Sequence, residues 1–535
     1  MSNSPSSTST TYVVVSGTLI VTLFAYIWQK QRQSEAPLPP SLPSEWLVGH
    51  LRSMPPGSDH TYFAKLGKDL HSDIISFTIM GQTTVVLNSA AAANDLLEKR
   101  SSIYSDRPSM MFITDEWLVD WRNAVSMCPY GPRHRNYRKM MNKFVSKSAA
   151  AVYHPYQEAE VHAFLKRLLV STEKLEDDFR QVAGAIIMRA TYGYRVERAD
   201  DPFVILAATT NANLMRAGLQ SNSLVNVIPA LKYLPPWFPG ARWKRNALEW
   251  RAQKEVMVNE TFNWTKRQVR EGKAESSIVQ TLLEGIPESG MSVEDAEDHI
   301  KHIAGTMFPG TFINYQYTVA DYQLSLLGTA GSETTVASFM IFVLAMTLYP
   351  EVQRKGQDEI DRVIGPDRLP TMADQGSLPY VNAIIQEIVR WQPVTPLGMP
   401  HRTTQDDVYK GYLIPKGATI LGNVWAITRD PDVYPDPETF NPDRFYQTST
   451  PPAPGFGWGR RICPGQYIAE ASLFIAVASM LAVFNIEKAR DEHGNEIIPT
   501  TKAKESSLVY HPAPFKCDVK PRSTQHSSLV SALQT

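Results

Sequence analysis

The sequence predicts a mainly α-helical protein with a minor β part, built as a single large domain behind an N-terminal transmembrane anchor helix. Three observations support this prediction. Apolar residues recur with helical period over most of the 535 residues. The chain has no internal repeat, low-complexity tract or linker, which favours one large domain over several. The first residues form an apolar segment without charge.

The composition excludes several classes of protein. The chain is 43% hydrophobic, which is ample for a large core and excludes a disordered protein. The 53 Lys and Arg balance 54 Asp and Glu, so a net charge of -1 gives no global field to attract nucleic acid. Cys128, Cys463 and Cys517 are too few for a disulfide framework or a Cys-only zinc site, which favours a reducing compartment.

A candidate membrane anchor occupies residues 12–29, after a short tail at 1–11. No charged residue precedes Lys30, and roughly 17 to 19 apolar residues in a helix just cross the hydrocarbon core. A cleaved signal peptide is the alternative, but the segment has no basic start and no small-residue cleavage site. Because positive charge follows the segment, we expect the rest of the chain on the cytosolic side of the endoplasmic reticulum membrane.

The remaining chain divides into a hinge, one large domain and a tail. Residues 37–43 are so dense in proline that they are stiff and extended, which predicts a hinge at 30–43. We expect the large domain at 44–523. The polar residues that follow predict a loose tail at 524–535.

The elements of the large domain follow from local patterns. Residues 73–87 are rich in β-branched side chains around Gly81 and predict a hairpin, and residues 408–415 predict a second one. Residues 90–100 predict a helix. Longer helical stretches are predicted at 156–171, 241–270, 334–362 and 380–391.

A Gly-rich stretch, residues 456–465, places Cys463 directly before a further predicted helix. A thiolate at a helix N-terminus is stabilised by the helix dipole and by free backbone N–H groups, which lowers its pKa and suits it to bind a metal. The alternative is an inert cysteine in a Gly-rich turn. The pattern as a whole favours the metal ligand.

The pattern Phe-x-x-Gly-x-Arg-x-Cys-x-Gly resembles the heme-binding loop of the cytochrome P450 superfamily. It is completed by Phe456, Gly459, Arg461, Cys463 and Gly465. Three further segments agree in the family's chain order. They are similar to its Glu-x-x-Arg helix (387–390), its Pro-x-Arg-Phe segment (442–445) and the oxygen-activating stretch of its long central helix (330–335). The resemblance, to eukaryotic, microsomal, fungal-like members, extends over nearly the whole chain.

The resemblance implies a heme b cofactor and a role for each matched residue. Cys463 is the implied axial ligand, whose thiolate pushes electron density into the iron. Glu333 and Thr334 are implied to deliver protons on the opposite face of the heme, although an ordinary helix also carries such residues. The preceding Ala330 and Gly331 favour the functional interpretation, because they let the backbone approach a ligand.

The same resemblance implies a structural cluster, in which Glu387, Arg390 and Arg444 hold the loop before Cys463. The alternative for the first two is a surface pair at i, i+3 spacing.

Heme carries two propionates, which a largely apolar pocket must meet with cationic or donor side chains. Arg461 matches the arginine of the family's loop. Arg138 is similar to the arginine of the family's Trp-x-x-x-Arg helix, but His134 stands where the tryptophan is expected. His401 is a further candidate, and a histidine at a strand edge is its alternative.

The implied partners are dioxygen, an NADPH-dependent flavoprotein reductase and a lipophilic small molecule. The resemblance also implies a basic face that receives the reductase, although a solvated charged helix explains the same residues. Its members are Arg133, Arg135, Lys139, Lys143 and Arg460. Segments 107–125, 395–399 and 506–510 are implied to line an apolar substrate pocket. The aromatic segment 234–240 predicts contact with membrane lipid, and a loop folded onto the domain is the alternative.

Residues 309–328 interrupt the predicted central helix, which begins with a capping-box pattern at 292–295. This insert opens with Pro309 and Gly310 and has no helical stripe. Removing it joins Phe308 to Thr329 and restores the family's pattern. We hypothesise that it is a translated, unspliced intron. A loop that bulges from the helix is the alternative.

The sequence therefore predicts a monomeric, membrane-anchored heme-thiolate monooxygenase that binds no nucleic acid and acts in secondary metabolism. It inserts one oxygen atom of dioxygen into a lipophilic molecule. A heme-thiolate isomerase or peroxygenase is one alternative, which the Glu333-Thr334 pair disfavours. A catalytically impaired heme-binding membrane protein is the other, and the insert is its support.

Overall fold

The computed structural model describes residues 36–46, 48–54, 59–196, 201–219, 224–307, 333–503 and 509–533. The predicted tail, anchor and first part of the hinge lie outside these residues. So do the insert at 309–328 and the two residues Ala330 and Gly331.

Helices form most of the described chain. The longer ones are α1 (Asp59–Asp69), α2 (Pro132–Val145), α3 (His154–Val170), α4 (Leu175–Tyr192), α5 (Pro202–Leu219), α6 (Arg242–Arg270), α7 (Ile278–Glu284), α8 (Val293–Met307), α9 (Glu333–Leu348), α10 (Pro350–Val363), α11 (Pro379–Trp391), α12 (Gln466–Val483) and α13 (Thr524–Ser531). Single helical turns include Ala90–Ala93, Ser101–Tyr104, Met111–Thr114, Lys147–Ala150, Leu224–Val227 and Val424–Ile427. The predicted mainly helical class is confirmed.

The strands of the described chain form three small sheets. They are β1 (Ile74–Ile79), β2 (Gln82–Leu87), β3 (His401–Arg402), β4 (Asp407–Tyr409), β5 (Tyr412–Ile414), β6 (Thr419–Gly422), β7 (Phe484–Lys488) and β8 (Cys517–Pro521). The largest sheet has the order β1-β2-β6-β3, in which β2 and β6 are parallel. Both predicted hairpins are confirmed, as the antiparallel pairs β1–β2 and β4–β5.

Two predicted helices differ from the structure. The stretch 334–362 is two helices, α9 and α10, bent by 105° at the break before Pro350. Proline has no backbone N–H to continue α9, but its fixed φ suits the first turn of α10. The stretch 90–100 begins as an α-turn and continues as a π-helix, Asn94–Lys99.

The core surrounds α12, which begins just after Cys463. Among the described residues, α12 alone is by itself long and apolar enough to cross a membrane, yet 78% of it is buried inside the protein. It packs against α3, α10 and α11 within the largest apolar cluster. A helix that is apolar on all sides and enclosed by others is a core helix. The cysteine loop is therefore attached to a core helix of the domain.

Both ends of the predicted domain are displaced. The Ser76 hydroxyl donates to Pro39 O at 2.6 Å and Leu413 N donates to Pro37 O at 2.7 Å, so the ordered domain includes part of the predicted hinge. The prediction of a loose tail at 524–535 is wrong for the residues that form α13. Val530 is fully buried against the main core, and Lys166 Nζ donates to Leu533 O at 2.5 Å. A few apolar residues in a polar segment are enough to dock this helix.

Candidate active site

The loop before α12 holds Cys463 by backbone contacts. Cys463 N donates to Phe456 O at 2.9 Å, which closes the loop on itself. Gly459 has φ +55°, and a Cβ there would lie 2.3 Å from Leu97 O, so a side chain is excluded at this position. Gly465 caps α12 and its N–H faces the Cys463 thiol. The matched loop residues thus lie in one compact turn.

The polypeptide by itself does not make Cys463 a thiolate. The side chain is exposed, yet protein atoms surround it densely enough that burial raises the pKa of its thiol. The Gly465 N–H and the Arg138 guanidinium act in the opposite direction but are outweighed. The lowered pKa predicted from the helix N-terminus is therefore wrong. A coordinated metal ion would supply the positive charge that ionises such a thiol.

Arginines from three elements converge beside this loop. Arg461 donates to Ser105 O at 2.7 Å, Val125 O at 3.2 Å and Cys128 O at 2.7 Å. Arg138 on α2 donates to the carbonyl of Ile462, the residue before Cys463, at 3.0 Å. The third is Arg107, which sequence reasoning placed in the substrate pocket.

Arg107 belongs to this cationic cluster. Its Nη1 donates to Met399 O at 3.1 Å and to Pro400 O at 2.5 Å, and its Nε donates to Ser126 O at 3.0 Å. Burial and the neighbouring charge of Arg461 lower the pKa of Arg107 to about 9. The sequence shows that Arg107 follows Asp106, but the direction in which its side chain points depends on the fold.

Two buried histidines complete the cationic cluster. Burial and the charges of Arg461, Arg138 and Arg107 lower the pKa of His134 to about 3. His134 Nδ1 has no hydrogen-bond partner within the described ranges. Burial and Arg107 likewise lower the pKa of His401 to about 3, and its Nδ1 lies 2.7 Å from Tyr104 O.

The cationic cluster is the set Arg107, Arg138, Arg461, His134 and His401. The acid that attracts Arg107 and Arg461 is Asp106, but its Oδ1 already accepts from Tyr130 N at 2.8 Å. So many donors beside so little negative charge suit a ligand that carries carboxylates.

The donor set also decides what kind of metal fits. The described residues contain no group of three or more His, Cys, Asp or Glu side chains that could hold a metal ion. A metal at Cys463 must therefore bring most of its ligands with it. An iron porphyrin does so, and its two propionates match the adjacent cationic cluster. The residues fit heme.

Glu333 opens α9 and is paired with two basic side chains. Its Oε1 lies 3.3 Å from Arg180 Nε, and its Oε2 lies 3.5 Å from His511 Nε2. The Glu333 side chain is buried. Burial by itself would lower the pKa of Arg180, but the negative charges of Glu333 and Glu176 together raise this pKa above its ordinary value. Thr334 follows Glu333 in the first turn, where its carbonyl accepts from the Ser338 hydroxyl at 2.9 Å.

The three segments predicted to line the pocket meet one another. Arg107 joins the first segment to the second through the Met399 carbonyl. Tyr510 N, from the described part of the third, donates to Val394 O at 2.7 Å, next to the second segment. The Thr306 hydroxyl on α8 accepts from Val125 N at 3.0 Å. The first part of the predicted central helix therefore borders the same region.

The residues Glu387, Arg390 and Arg444 also come together. Arg390 forms a two-point ion pair with Glu387, with both N–O distances at 2.7 Å, and both side chains are fully buried. Arg444 Nε lies 3.2 Å from the same carboxylate, and Asn441 N donates to it at 2.8 Å. We call these three residues the balanced cluster.

The predicted basic face divides in two. Arg133 pairs with Asp298 at 2.5 Å and donates to the Tyr137 hydroxyl, so it belongs to the packing of α2 on α8. The side chains of Arg135, Lys139, Lys143 and Arg460 are exposed. Arg460 also contacts the Tyr130 hydroxyl.

Comparison with known proteins identifies the family. The sequence profile described as "Cytochrome P450" matches residues 39–519. The chain belongs to the cytochrome P450 family.

Fungal P450s are similar along nearly the whole chain. A cytochrome P450 monooxygenase of Armillaria gallica is 38% identical over 507 residues, which cover 94% of this chain and 95% of the relative. One of Ampulloclitocybe clavipes is 39% identical over 522 residues, covering 96% and 91%. Such P450 monooxygenases are oxidoreductases, and so is this protein.

A solved P450 structure shares the fold. A zebrafish cytochrome P450 solved with progesterone superposes with a TM-score of 0.70 at 21% identity, covering 86% of this chain and 99% of that chain. Proteins of this family and fold hold heme through a cysteine thiolate, and heme is the cofactor here. They use dioxygen, a redox partner and a substrate.

Proposed function

We propose that this P450 is a membrane-anchored monooxygenase that receives electrons from NADPH through a flavoprotein reductase and oxidises a lipophilic small molecule. The observation that supports this most strongly is the position of Cys463, at the start of the core helix α12 and beside the cationic cluster. When bound, heme supplies the activation of dioxygen. The residues of this chain bind it, orient it and manage protons.

In this proposal Cys463 would supply the thiolate that binds the heme iron, and the cationic cluster would bind the two propionates. Arg107, Arg138 and Arg461 each use backbone carbonyls to fix their guanidinium groups, so they bind with little loss of conformational freedom. His134 takes the place of the family's tryptophan and offers its unpartnered Nδ1 to a carboxylate. A neutral imidazole can donate a single hydrogen bond in this position.

Glu333 and Thr334 are the residues that would manage protons in this proposal. Glu333 holds or releases a proton at Oε2, where His511 Nε2 is 3.5 Å away. Thr334 is the adjacent hydroxyl. Arg180 Nε lies 3.3 Å from the other carboxylate oxygen, so this ion pair holds the Glu333 side chain in its orientation.

The reductase is proposed to dock on the exposed cations of α2 and the cysteine loop. Arg135, Lys139 and Lys143 follow one another at i, i+4 spacing and are exposed on α2. Arg138 of the same helix contacts the carbonyl next to Cys463. An acidic partner on this surface would therefore lie close to the metal ligand.

The membrane contact has two parts in the proposal. The first is the anchor at 12–29, which places the domain on the cytosolic side of the endoplasmic reticulum. The second is the aromatic segment 234–240 before α6, where Trp237 is 77% and Phe238 is 43% exposed. Exposed aromatic residues of this kind favour the interface between lipid and water. The substrate would then enter from the bilayer.

The first test is a carbon-monoxide difference spectrum of the reduced protein, measured on the chain as given and on a variant lacking residues 309–328. We expect a red-shifted Soret band from the variant. Cys463→Ser should abolish the band, whereas Cys128→Ser and Cys517→Ser should keep it. A band that survives Cys463→Ser would overturn the assignment of the ligand, and its absence from both well-folded forms would overturn the proposal.

A second measurement separates the electron donors. The heme-loaded protein is incubated either with a reductase and NADPH or with hydrogen peroxide alone, and the formation of a hydroxylated product is measured. Product formed only with peroxide would overturn the reductase as electron donor.

Whether a spliced transcript lacks the codons for residues 309–328 decides between an intron and a genuine loop.

A further inference from the structure

A π-helix lies directly against the cysteine loop. In this turn, Asn94–Lys99, Arg100 N donates to Asp95 O at 3.1 Å, an i to i+5 bond that accommodates one extra residue. Leu97 points into the core, and its carbonyl fills the space beside the Cα of Gly459. Such single π-turns occur often at functional sites.

Glu98, the next residue of the π-helix, makes a polar contact with the cysteine loop. Its Oε2 accepts from Gly459 N at 2.5 Å. Gly459 begins the 3-10 turn Gly459–Arg461, and Trp458 before it provides no side-chain cap. The first N–H groups of such a turn have no partner within the turn. Glu98 supplies the missing acceptor from 361 residues away in the chain.

A short chain of hydrogen bonds connects this contact to the cysteine. Gly459 O accepts from Ile462 N at 3.2 Å. Ile462 O in turn accepts from Arg138 Nη1 at 3.0 Å. A carboxylate therefore holds the N–H end of the turn and a guanidinium holds its carbonyl end, directly before Cys463. Both charges have the sign that the dipole of the turn favours.

Apolar packing fixes the other side of the loop but does not replace the contact. The Trp458 indole packs closely on Gly422, since a Cβ added to this glycine would lie 2.5 Å from Cζ3 of the indole. The same hypothetical Cβ would lie 3.4 Å from Leu97 Cδ1, so the indole is held between β6 and the π-helix. Packing of this kind limits sideways movement, whereas a hydrogen bond to Gly459 N sets the rotation of the turn.

We propose that Glu98 is a positioning residue for Cys463, which orients the loop through the hydrogen bond from Gly459 N. This inference rests on the proposed role of Cys463 as the axial ligand. Glu98 does not touch the metal site. Its effect is to keep the turn from relaxing, so that the sulfur stays directed to the iron.

The test compares Glu98→Ala with the matched control Lys99→Ala in the full heme-loaded chain. Lys99 is exposed in the same helix and pairs with Asp95, not with the loop. Hydrogen exchange is followed by mass spectrometry in peptides covering residues 456–463. The second readout is the half-life of the red-shifted Soret band of the reduced carbon-monoxide complex.

We expect loop exchange about tenfold faster in Glu98→Ala, because a hydrogen bond to a charged group is lost. The red-shifted band should also disappear several-fold faster, while Lys99→Ala behaves as wild type. Glu98→Asp keeps the charge but is too short to reach Gly459 N, so it should resemble Glu98→Ala.

Loop exchange and band half-life in Glu98→Ala equal to those of Lys99→Ala would overturn the inference. If Glu98→Ala does not fold, Glu98→Asp is judged by the same criterion. Absence of the band from the wild type, both with and without residues 309–328, would instead overturn the proposed ligand, while loop exchange would still report on the contact of Glu98.

Discussion

Two clusters of buried charge differ in a way that separates structure from function. In the balanced cluster, Glu387 lies between Arg390 and Arg444 and also accepts from Asn441 N. In the cationic cluster, three arginines and two histidines lie together, and Asp106, which attracts Arg107 and Arg461, is itself engaged by the backbone N–H of Tyr130. Both clusters use arginines with backbone carbonyls as acceptors. They differ in the supply of negative charge.

The difference shows which buried charges are complete within the polypeptide. Removing charges from water is costly unless partners compensate them. The balanced cluster is compensated by its own carboxylate, so its function is to hold the segment around residues 428–441. The cationic cluster contains no carboxylate of its own, so an anionic ligand would compensate its charge. Substitutions should therefore act on stability in the first and on heme retention in the second.

The largest expected effect is that of Glu387→Gln. The variant leaves two buried guanidinium groups without their carboxylate, which should lower the free energy of unfolding by about 3–5 kcal/mol. Urea unfolding measures it. Asp361→Asn is the control, since it weakens the ion pair between the half-exposed Asp361 and Arg522 and should cost about 1 kcal/mol or less. Equal losses in both variants would contradict the distinction between buried and exposed pairs.

Arg138→Met should show the opposite pattern. It removes one of several mutually repelling cations and a single hydrogen bond to Ile462 O, so the stability of the apoprotein should change by only about 1 kcal/mol. Heme should dissociate about tenfold faster, because a charge-assisted hydrogen bond is lost. Transfer of heme to apomyoglobin measures this rate.

The control for Arg138→Met is Arg135→Met, which removes an exposed arginine from the same helix. This variant should keep the wild-type rate of heme loss. If Arg138→Met destabilised the apoprotein by several kcal/mol and left heme retention unchanged, Arg138 would belong with the balanced cluster.

A smaller effect is expected from pH. The pKa of His134 is about 3 in the folded apoprotein, below its ordinary value of 6.5, because of burial and nearby arginines. Below pH 6.5 the unfolded chain therefore binds a proton that the folded chain does not, and stability is lost as the pH falls toward 3. Between pH 7 and pH 5, the titration of His134 should lower the free energy of unfolding of the wild type by about 2 kcal/mol. His134→Gln should lack this contribution.

The measurement is urea unfolding of the apoprotein at several pH values. Above pH 7 the variant and wild type should run parallel, which serves as the internal control. Identical decreases between pH 7 and pH 5 would show that His134 is not a buried neutral group.

Local patterns predicted the elements and the cysteine loop because their causes lie within a few residues. The hairpins follow from β-branched residues on each side of a turn, and α8 from the Ser292–Asp295 capping interaction, with the hydroxyl to carboxylate distance at 2.7 Å. The break between α9 and α10 was not predicted, although Pro350 marks it, because helical period continues on both sides of the proline. The burial of Val530 could not be predicted, since it depends on a surface formed elsewhere.

The sequence by itself determined the family pattern, the ligand candidate Cys463 and the arginines that accompany it. Only the tertiary structure decided that Arg107 joins the cationic cluster, that Arg180 and His511 pair with Glu333, and that Glu98 holds Gly459. The physical reason is distance along the chain. A loop motif carries its own geometry, whereas the charge around a site is the sum of side chains brought together by folding.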